Sequence, residues 1–268
     1  MKPYLGAKDL REICSSQLQE WVDLLQDKGV GVATIKSSAT MVRQVLKYAV
    51  KNRHIPKTVW VEIELPSTTK SERAKAFTLS QLNSISRECG PYRLLVLLLG
   101  LCGLRIGEAT SLRREHIDFG AGVIRVETTW KRNKTGKRYI GPPKNGKPRD
   151  VPIPRVLLEE LRSRCGELSE EQFLFVGVKG GPLSPDHFRK RWFLPALHKL
   201  AIRNAGIHML RHTCASLLIR QNTPITTVSQ ILGHSDMQIT LKTYAHFFVE
   251  DSFEAMEKLS QYVESVTE

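Results

Sequence analysis

The apolar run "LLVLLLGLCGL" at positions 94–104 constrains this chain most. It is far shorter than the roughly 20 apolar residues that span a bilayer, so it reads as a helix buried in a protein core. A chain of 268 residues is long enough for one large domain or two smaller ones with cores of their own. The N-terminal stretch "MKPYLGAKDLREIC" lacks the apolar segment of a signal peptide. The five cysteines, Cys14, Cys89, Cys102, Cys165 and Cys214, are odd in number and widely spaced, with no CxxC pair. They argue against a disulfide framework or zinc knuckle and fit small buried or half-buried residues in a reducing compartment.

Helical periodicity fills the first part. Leu10, Ile13, Leu18, Trp21 and Leu24/Leu25 form one stripe, and a second helix over about 34–52 should bury Ile35, Val42, Val45, Leu46 and Ala49. Lys36, Arg43, Lys47 and Lys51 fall largely on another face, where they are either solvated or aligned with a phosphate backbone. The stretch "LPSTTKSERAK" (65–75) breaks the pattern as a linker does. The expected layout is a helical domain at 1–66, a linker at 67–76 and a second domain at 77–268.

That second domain opens with helix signals at "FTLSQLNSI" and at Pro91, then turns to strand-like alternation in "GVIRVETTW" (122–130). "KNGK" (144–147) contains Asn-Gly, a strong hairpin signal, and "RDVPIP" reads as a returning strand. Beyond residue 155 the pattern is helical again. The fold class is therefore mainly α with a small antiparallel β-sheet. In "NTPITTVSQILGH", Thr223 is placed to cap a helix beginning at Pro224, and Gly233 to end it in a left-handed turn. His234 then lies just past the helix end, and another helix starts near Ser235 or Asp236 and carries Tyr244.

A formal charge of +13 and a pI near 9.7 favour a polyanionic partner, nucleic acid ahead of a membrane surface. Arg125, Lys131, Arg132, Lys134, Lys137, Arg138, Lys144, Lys147 and Arg149 crowd one small segment against Glu127 and Asp150, an excess suited to a DNA backbone. Arg105 follows the apolar run, where burial is costly without a partner. Glu108, three residues on, can hold it, either as an internal pair or with the fork still facing an anion. His208 and Arg211 share a helix side away from the apolar face of Leu210, Cys214, Leu217 and Leu218. That side is either an ordinary exposed face or a place to meet an anion. His208 and His212 have the i, i+4 spacing of metal ligands, but there is no HExxH glutamate and Arg211 would repel a cation, so no metal is expected.

In order and approximate spacing, "GLRIGE", "HMLRH", "LGHS" and "TYAH" resemble the motifs of the tyrosine recombinase (phage integrase) family, with a hairpin lysine between the first and second. The resemblance runs from about Phe77 to His246. The first domain is similar to the family's helical core-binding (SAM-like) DNA-binding domain, although "HIPKT" stands where the family has Asn-Pro. The resemblance implies a mixed α/β catalytic domain with a C-terminal tail helix. Arg105, Lys144, His208, Arg211, His234 and Tyr244 match the family's catalytic residues. The arginines and histidines would grip the scissile phosphate, Tyr244 would attack it with help from His208, and Lys144 would protonate the leaving 5′-oxygen. Lys147 or Lys134 can compete with Lys144 for that role. Glu108 matches the residue that supports the first arginine, and His212 either supports the site from behind or packs beside it. Fixed cations can stabilise the anionic transition state without a metal, and a 3′-phosphotyrosine conserves bond energy without ATP, so no cofactor is implied.

DNA contacts are expected from Lys36, Arg43 and Lys47, and from Lys131, Arg132, Lys134, Lys137, Arg138 and Lys147. The implied partners are double-stranded recombination sites, a homotetramer assembled on them, and accessory DNA-bending or directionality factors. Val249, Phe253, Met256, Leu259 and Val263 repeat at helical spacing. They either pack on their own domain or, as the resemblance implies, dock in trans on a neighbouring protomer. The expected task is integration or excision of a mobile element. Alternatives are Xer-type dimer resolution, type IB topoisomerase-like activity, or a DNA-binding regulator that makes no cuts. The expected location is the bacterial cytoplasm, on the nucleoid when bound.

Overall fold

The computed structural model describes residues 2–56, 62–67, 76–143, 146–233 and 236–267, and within these all side chains except those at 2–3, 239, 242, 245–255 and 267. The chain divides into two compact units, Met1–Ser71 and Glu72–Glu268.

In the first unit, helices α1 (Lys2–Leu5), α2 (Ser15–Asp27) and α3 (Val32–Lys51) surround a core of Leu18, Trp21, Val22, Ile35, Val42 and Leu46. The stripe expected to begin a helix at Leu10 starts later, because Leu10 sits in a turn and Cys14 caps α2; Ile13 is buried all the same, ahead of the helix. Val45, expected inside, is 44% exposed. One residue before Leu46, it points about 100° away from the Ile35–Val42–Leu46–Ala49 seam. Lys36 is half-buried and Lys47 exposed. Arg43 is only partly free for a DNA backbone, since its Nη2 donates to the Ile63 carbonyl at 3.4 Å.

The second unit opens with α4 (Leu79–Glu88), whose first turn is closed by a reciprocal capping box between Thr78 and Gln81. A 3₁₀ turn, Gly90–Tyr92, leads into α5 (Arg93–Leu101), the expected buried helix, with Leu94 through Gly100 all inside. A Cβ on Gly100 would meet the Leu82 side chain at 2.5 Å, so a larger residue here would have to displace that leucine of α4. After α6 (Ile106–Ala109) come β1 (Ile117–Asp118), β2 (Val123–Val126), β3 (Thr129–Arg132), β4 (Arg138–Gly141) and β5 (Arg149–Pro152). One antiparallel sheet has the order β1-β2-β5, with Ile124 opposite Val151 and Val126 opposite Arg149; β3 and β4 pair separately.

The returning strand at "RDVPIP" is β5, which pairs with β2; Lys144 and Asn145 of the expected Asn-Gly turn lie outside the described residues, and β4 and β5 on either side of them lie in different sheets. The hairpin turn joins β3 to β4, where the Asn133 side chain accepts from Thr135 N, Thr135 Oγ1 and Lys137 N at 3.1, 2.8 and 2.8 Å.

Helices α7 (Arg155–Gly166), α8 (Pro185–Phe188), a π-helical turn (Arg189–Phe193), α9 (Leu194–Lys199), α10 (His208–Arg220), α11 (Ile225–Leu232) and α12 (Met237–Thr267) complete the unit. Its main core gathers Leu95, Leu98 and Leu99 of α5 with Val126, Val151, Leu157, Phe188, Phe193 and Leu210. The cap of α11 is Pro224 rather than Thr223, since Pro224 still has an extended ψ of 137°. Its end is as expected, with Gly233 left-handed at φ 64°. The next helix begins at Met237, where the Asp236 carboxylate accepts from the Gln238 N–H at 2.8 Å. That helix is continuous from Tyr244 into the tail. Met256, Leu259 and Val263 are exposed; the side chains of Val249 and Phe253 lie outside the described residues. No described helix is long and apolar enough to cross a membrane.

Candidate active site

An α-helix leaves its last carbonyls unpaired and partly negative. At the end of α11, three consecutive carbonyls each receive a guanidinium. Arg149 Nε donates to Ile231 O at 3.2 Å, Arg211 Nη2 to Leu232 O, and Arg105 Nη2 to Gly233 O at 3.3 Å.

Arg211 is not on an exposed helix face. It is 3% exposed, because α10 is enclosed on nearly every side, and its Nη1 also donates to Gly103 O at 2.6 Å. Burial, then the cations of Arg105 and Arg149, lower its pKa to about 9 despite Glu108, which leaves it charged at neutral pH.

Glu108, 2% exposed, holds two of these arginines. Its carboxylate accepts from Arg105 N and Nη1, both at 2.9 Å, and from Arg149 Nη1 and Nη2 at 3.0 and 2.8 Å. Burial alone would raise its pKa, but Arg149 and Arg105 outweigh burial and hold it below the usual carboxylate range. Sequence reasoning paired Glu108 with Arg105 and counted Arg149 only as part of a basic stretch. The alternation of "RDVPIP" carried the missed signal, since Arg149 lies on the same strand face as Val151, which is fully buried.

At the start of α10, His208 is exposed; partial desolvation and then Arg211 and Arg105 lower its pKa. Its ring meets that of His212 edge-on at 5.1 Å, and His212 meets Tyr244 at 5.8 Å. The imidazole that touches the tyrosine is thus His212, not His208, with Nδ1 2.6 Å from the Tyr244 hydroxyl. Burial, with His208 and Arg211 adding to it, brings the His212 pKa down to about 4, so the ring is neutral at pH 7. Tyr244 is 1% exposed and packs with Ala215, Ile219, Val228 and Leu232; burial raises its pKa, against the pull of Arg211.

The structure therefore brings Arg105, Glu108, His208, Arg211, His212 and Tyr244 into one neighbourhood. Lys144 and His234 lie outside the described residues. Lys134 is exposed in the β3–β4 turn, and Lys147 is exposed just before β5. Lys131 is half-buried and Lys137 exposed, while Arg132 and Arg138 share the Asp186 carboxylate. Among the described residues, no group of three or more His, Cys, Asp or Glu could hold a metal ion.

The sequence pattern of the phage integrase family matches residues 72–250, well over half of the chain. The chain belongs to this family. Family membership makes it a tyrosine recombinase, an enzyme of site-specific recombination. This chain is 26% identical to a tyrosine recombinase XerC-like protein of Caldanaerobacter subterraneus over 278 residues, covering 92% of its own length and 71% of that protein. It is also 26% identical to tyrosine recombinase XerC of Alcanivorax borkumensis, over 90% of this chain and 75% of that one. Its fold matches that of the Tn1549 transposon integrase in complex with a circular intermediate DNA, with a TM-score of 0.79 at 21% identity, over 95% of this chain and 88% of that one. XerH bound to palindromic difH substrate matches with a TM-score of 0.66 at 19% identity, over 97% and 76%.

The Gly233 turn is where backbone and site meet. A Cβ there would lie 2.6 Å from Arg149 Cδ. Gly233→Ala is expected to lose about 1–2 kcal/mol from the left-handed backbone alone, and more from the displaced arginine. A thermal melt checks this, and an unchanged midpoint would count against it.

Proposed function

We propose that this integrase cuts and rejoins duplex DNA at defined sites through a 3′-phosphotyrosine on Tyr244, in the integration or excision of a mobile element. The observation that carries this reading is the Tyr244 hydroxyl held against a neutral imidazole, in a site with Arg105 and Arg211 seated on one helix end. A phosphodiester gains negative charge as it becomes five-coordinate, and preorganised guanidiniums stabilise that charge more than they do the ground state. Tyr244 Oη forms the new bond to phosphorus, the phosphorus–O5′ bond breaks, and the phenolic proton passes to an imidazole. The 5′-oxygen takes its proton from a lysine, Lys144 by the family pattern. The reverse attack, by a 5′-hydroxyl on the phosphotyrosine, reseals the strand, so no external energy is consumed.

Tyr244 cannot reach a phosphate from its buried position, so cleavage requires the start of α12 to shift when DNA binds. The first unit and the basic β3–β4 hairpin would follow the duplex backbone. The exposed Met256, Leu259, Tyr262 and Val263 suit a tail that docks on a neighbouring protomer of a tetramer. The protein would act in the bacterial cytoplasm, on the nucleoid. The relatives named XerC favour a second reading, Xer-type dimer resolution, by the same chemistry.

The test begins by selecting tightly bound duplexes from a randomised pool and building a nicked suicide substrate on the selected sequence. A detergent-resistant adduct forming in chelator and without ATP is expected. Tight binding with no adduct would replace this reading with a regulator that makes no cuts. Relaxation of supercoiled DNA without strand exchange between two selected sites would point to a topoisomerase.

A further inference from the structure

We infer that Arg149 is a positioning residue of this active site, holding Arg105 through Glu108 and the Gly233 turn; its catalytic consequence rests on the proposed cleavage reaction. Three observations converge on it. Its Nε, Nη1 and Nη2 are all engaged, by Ile231 O and by both oxygens of Glu108. Its stem fills the space a Cβ on Gly233 would need, at 2.6, 2.7 and 2.8 Å from Cδ, Nε and Cζ. Its side chain is 14% exposed, whereas that of Arg105 is 42% exposed.

Arg149 is therefore turned inward and Arg105 outward. Both grip one carboxylate, so the anion that fixes Arg105 is itself fixed from behind by a two-toothed guanidinium. Arg149 is also tied into the sheet, opposite Val126. One side chain thus joins three pieces of chain: β5, α6 with Glu108, and the end of α11. A lysine at this position could neutralise Glu108, but a single ammonium cannot span the Ile231 carbonyl and both carboxylate oxygens as the planar fork does.

Arg149→Lys is the test. Single-turnover adduct formation on the selected suicide duplex is expected to fall about 100-fold, with DNA affinity within about threefold of the unchanged protein. On a duplex with an uncharged methylphosphonate at the cleaved position, the deficit should shrink, because Arg105 then has less charge to stabilise. A third readout needs no cleavage. ¹⁵N relaxation at the Arg105 Nε should show a more mobile guanidinium in Arg149→Lys. An unchanged rate, an equal loss of rate and affinity, or an equally ordered Arg105 would each overturn the assignment. If the unaltered protein forms no adduct, the proposed reaction fails, and the Arg105 relaxation still decides whether Arg149 positions it. Should Arg149→Lys not fold, Gly233→Ala displaces the same guanidinium from the opposite side and is expected to mobilise Arg105 likewise; an Arg105 still ordered there overturns the assignment.

Discussion

Tyr244→Phe is expected to abolish covalent capture of DNA while leaving binding within about threefold of the unchanged protein. The substitution keeps the ring in its pocket of Ala215, Ile219, Val228 and Leu232 and removes only the hydroxyl beside His212. The net cost to folding should be about 1 kcal/mol, the usual scale for one hydrogen bond. A large effect on chemistry with a small one on stability is the signature of a nucleophile. The suicide duplex and a thermal melt, run side by side, read both quantities. An adduct that persists in the variant would move the nucleophile to another of the six tyrosines.

The largest effect on stability is expected from Glu108→Gln. This isosteric change leaves Arg105, Arg149 and Arg211 near one helix end without their shared buried anion. Removing one partner of a buried ionic network costs about 3–5 kcal/mol. The pH dependence follows from the sign of the shift. The folded pKa of Glu108 lies below its ordinary 4.5, so its stabilisation is complete above 4.5 and is lost as the pH falls through the lower folded value. Melting curves from pH 7 to pH 3 should therefore show the two proteins far apart at neutral pH and converging in acid. A gap that stays constant would mean the carboxylate charge is not what matters.

Features legible in the sequence were those decided by neighbours along the chain. Leu94 to Gly100 announce a buried helix by composition alone, and Gly233 announces a helix end because few other residues accept its conformation. The family motifs picked out Arg105, Glu108, His208, Arg211 and Tyr244, which the fold then brings together. What escaped depends on contacts between distant segments. Arg211 is interior because carbonyls at Gly103 and Leu232 replace its water, and nothing in "HMLRH" shows those partners. His208 and His212 could not be separated by spacing; only the placement of α12 sets Tyr244 against the second. The β3–β4 turn went unread because it is closed by the side chain of Asn133 rather than by an Asn-Gly pair. Arg149 looked like one more surface cation until sheet register placed it beside Val151.

The guanidiniums on the α11 terminus have a consequence for ionic strength. Counter-ions screen charges on an open surface within about 8–10 Å at ordinary salt, and reach interior charges far less. The lysines and arginines of the β3–β4 ribbon sit in the first regime, Arg211 and Glu108 in the second. Salt thus governs how readily this molecule meets a duplex, while the electrostatics it applies to a docked phosphate stay much as folding left them.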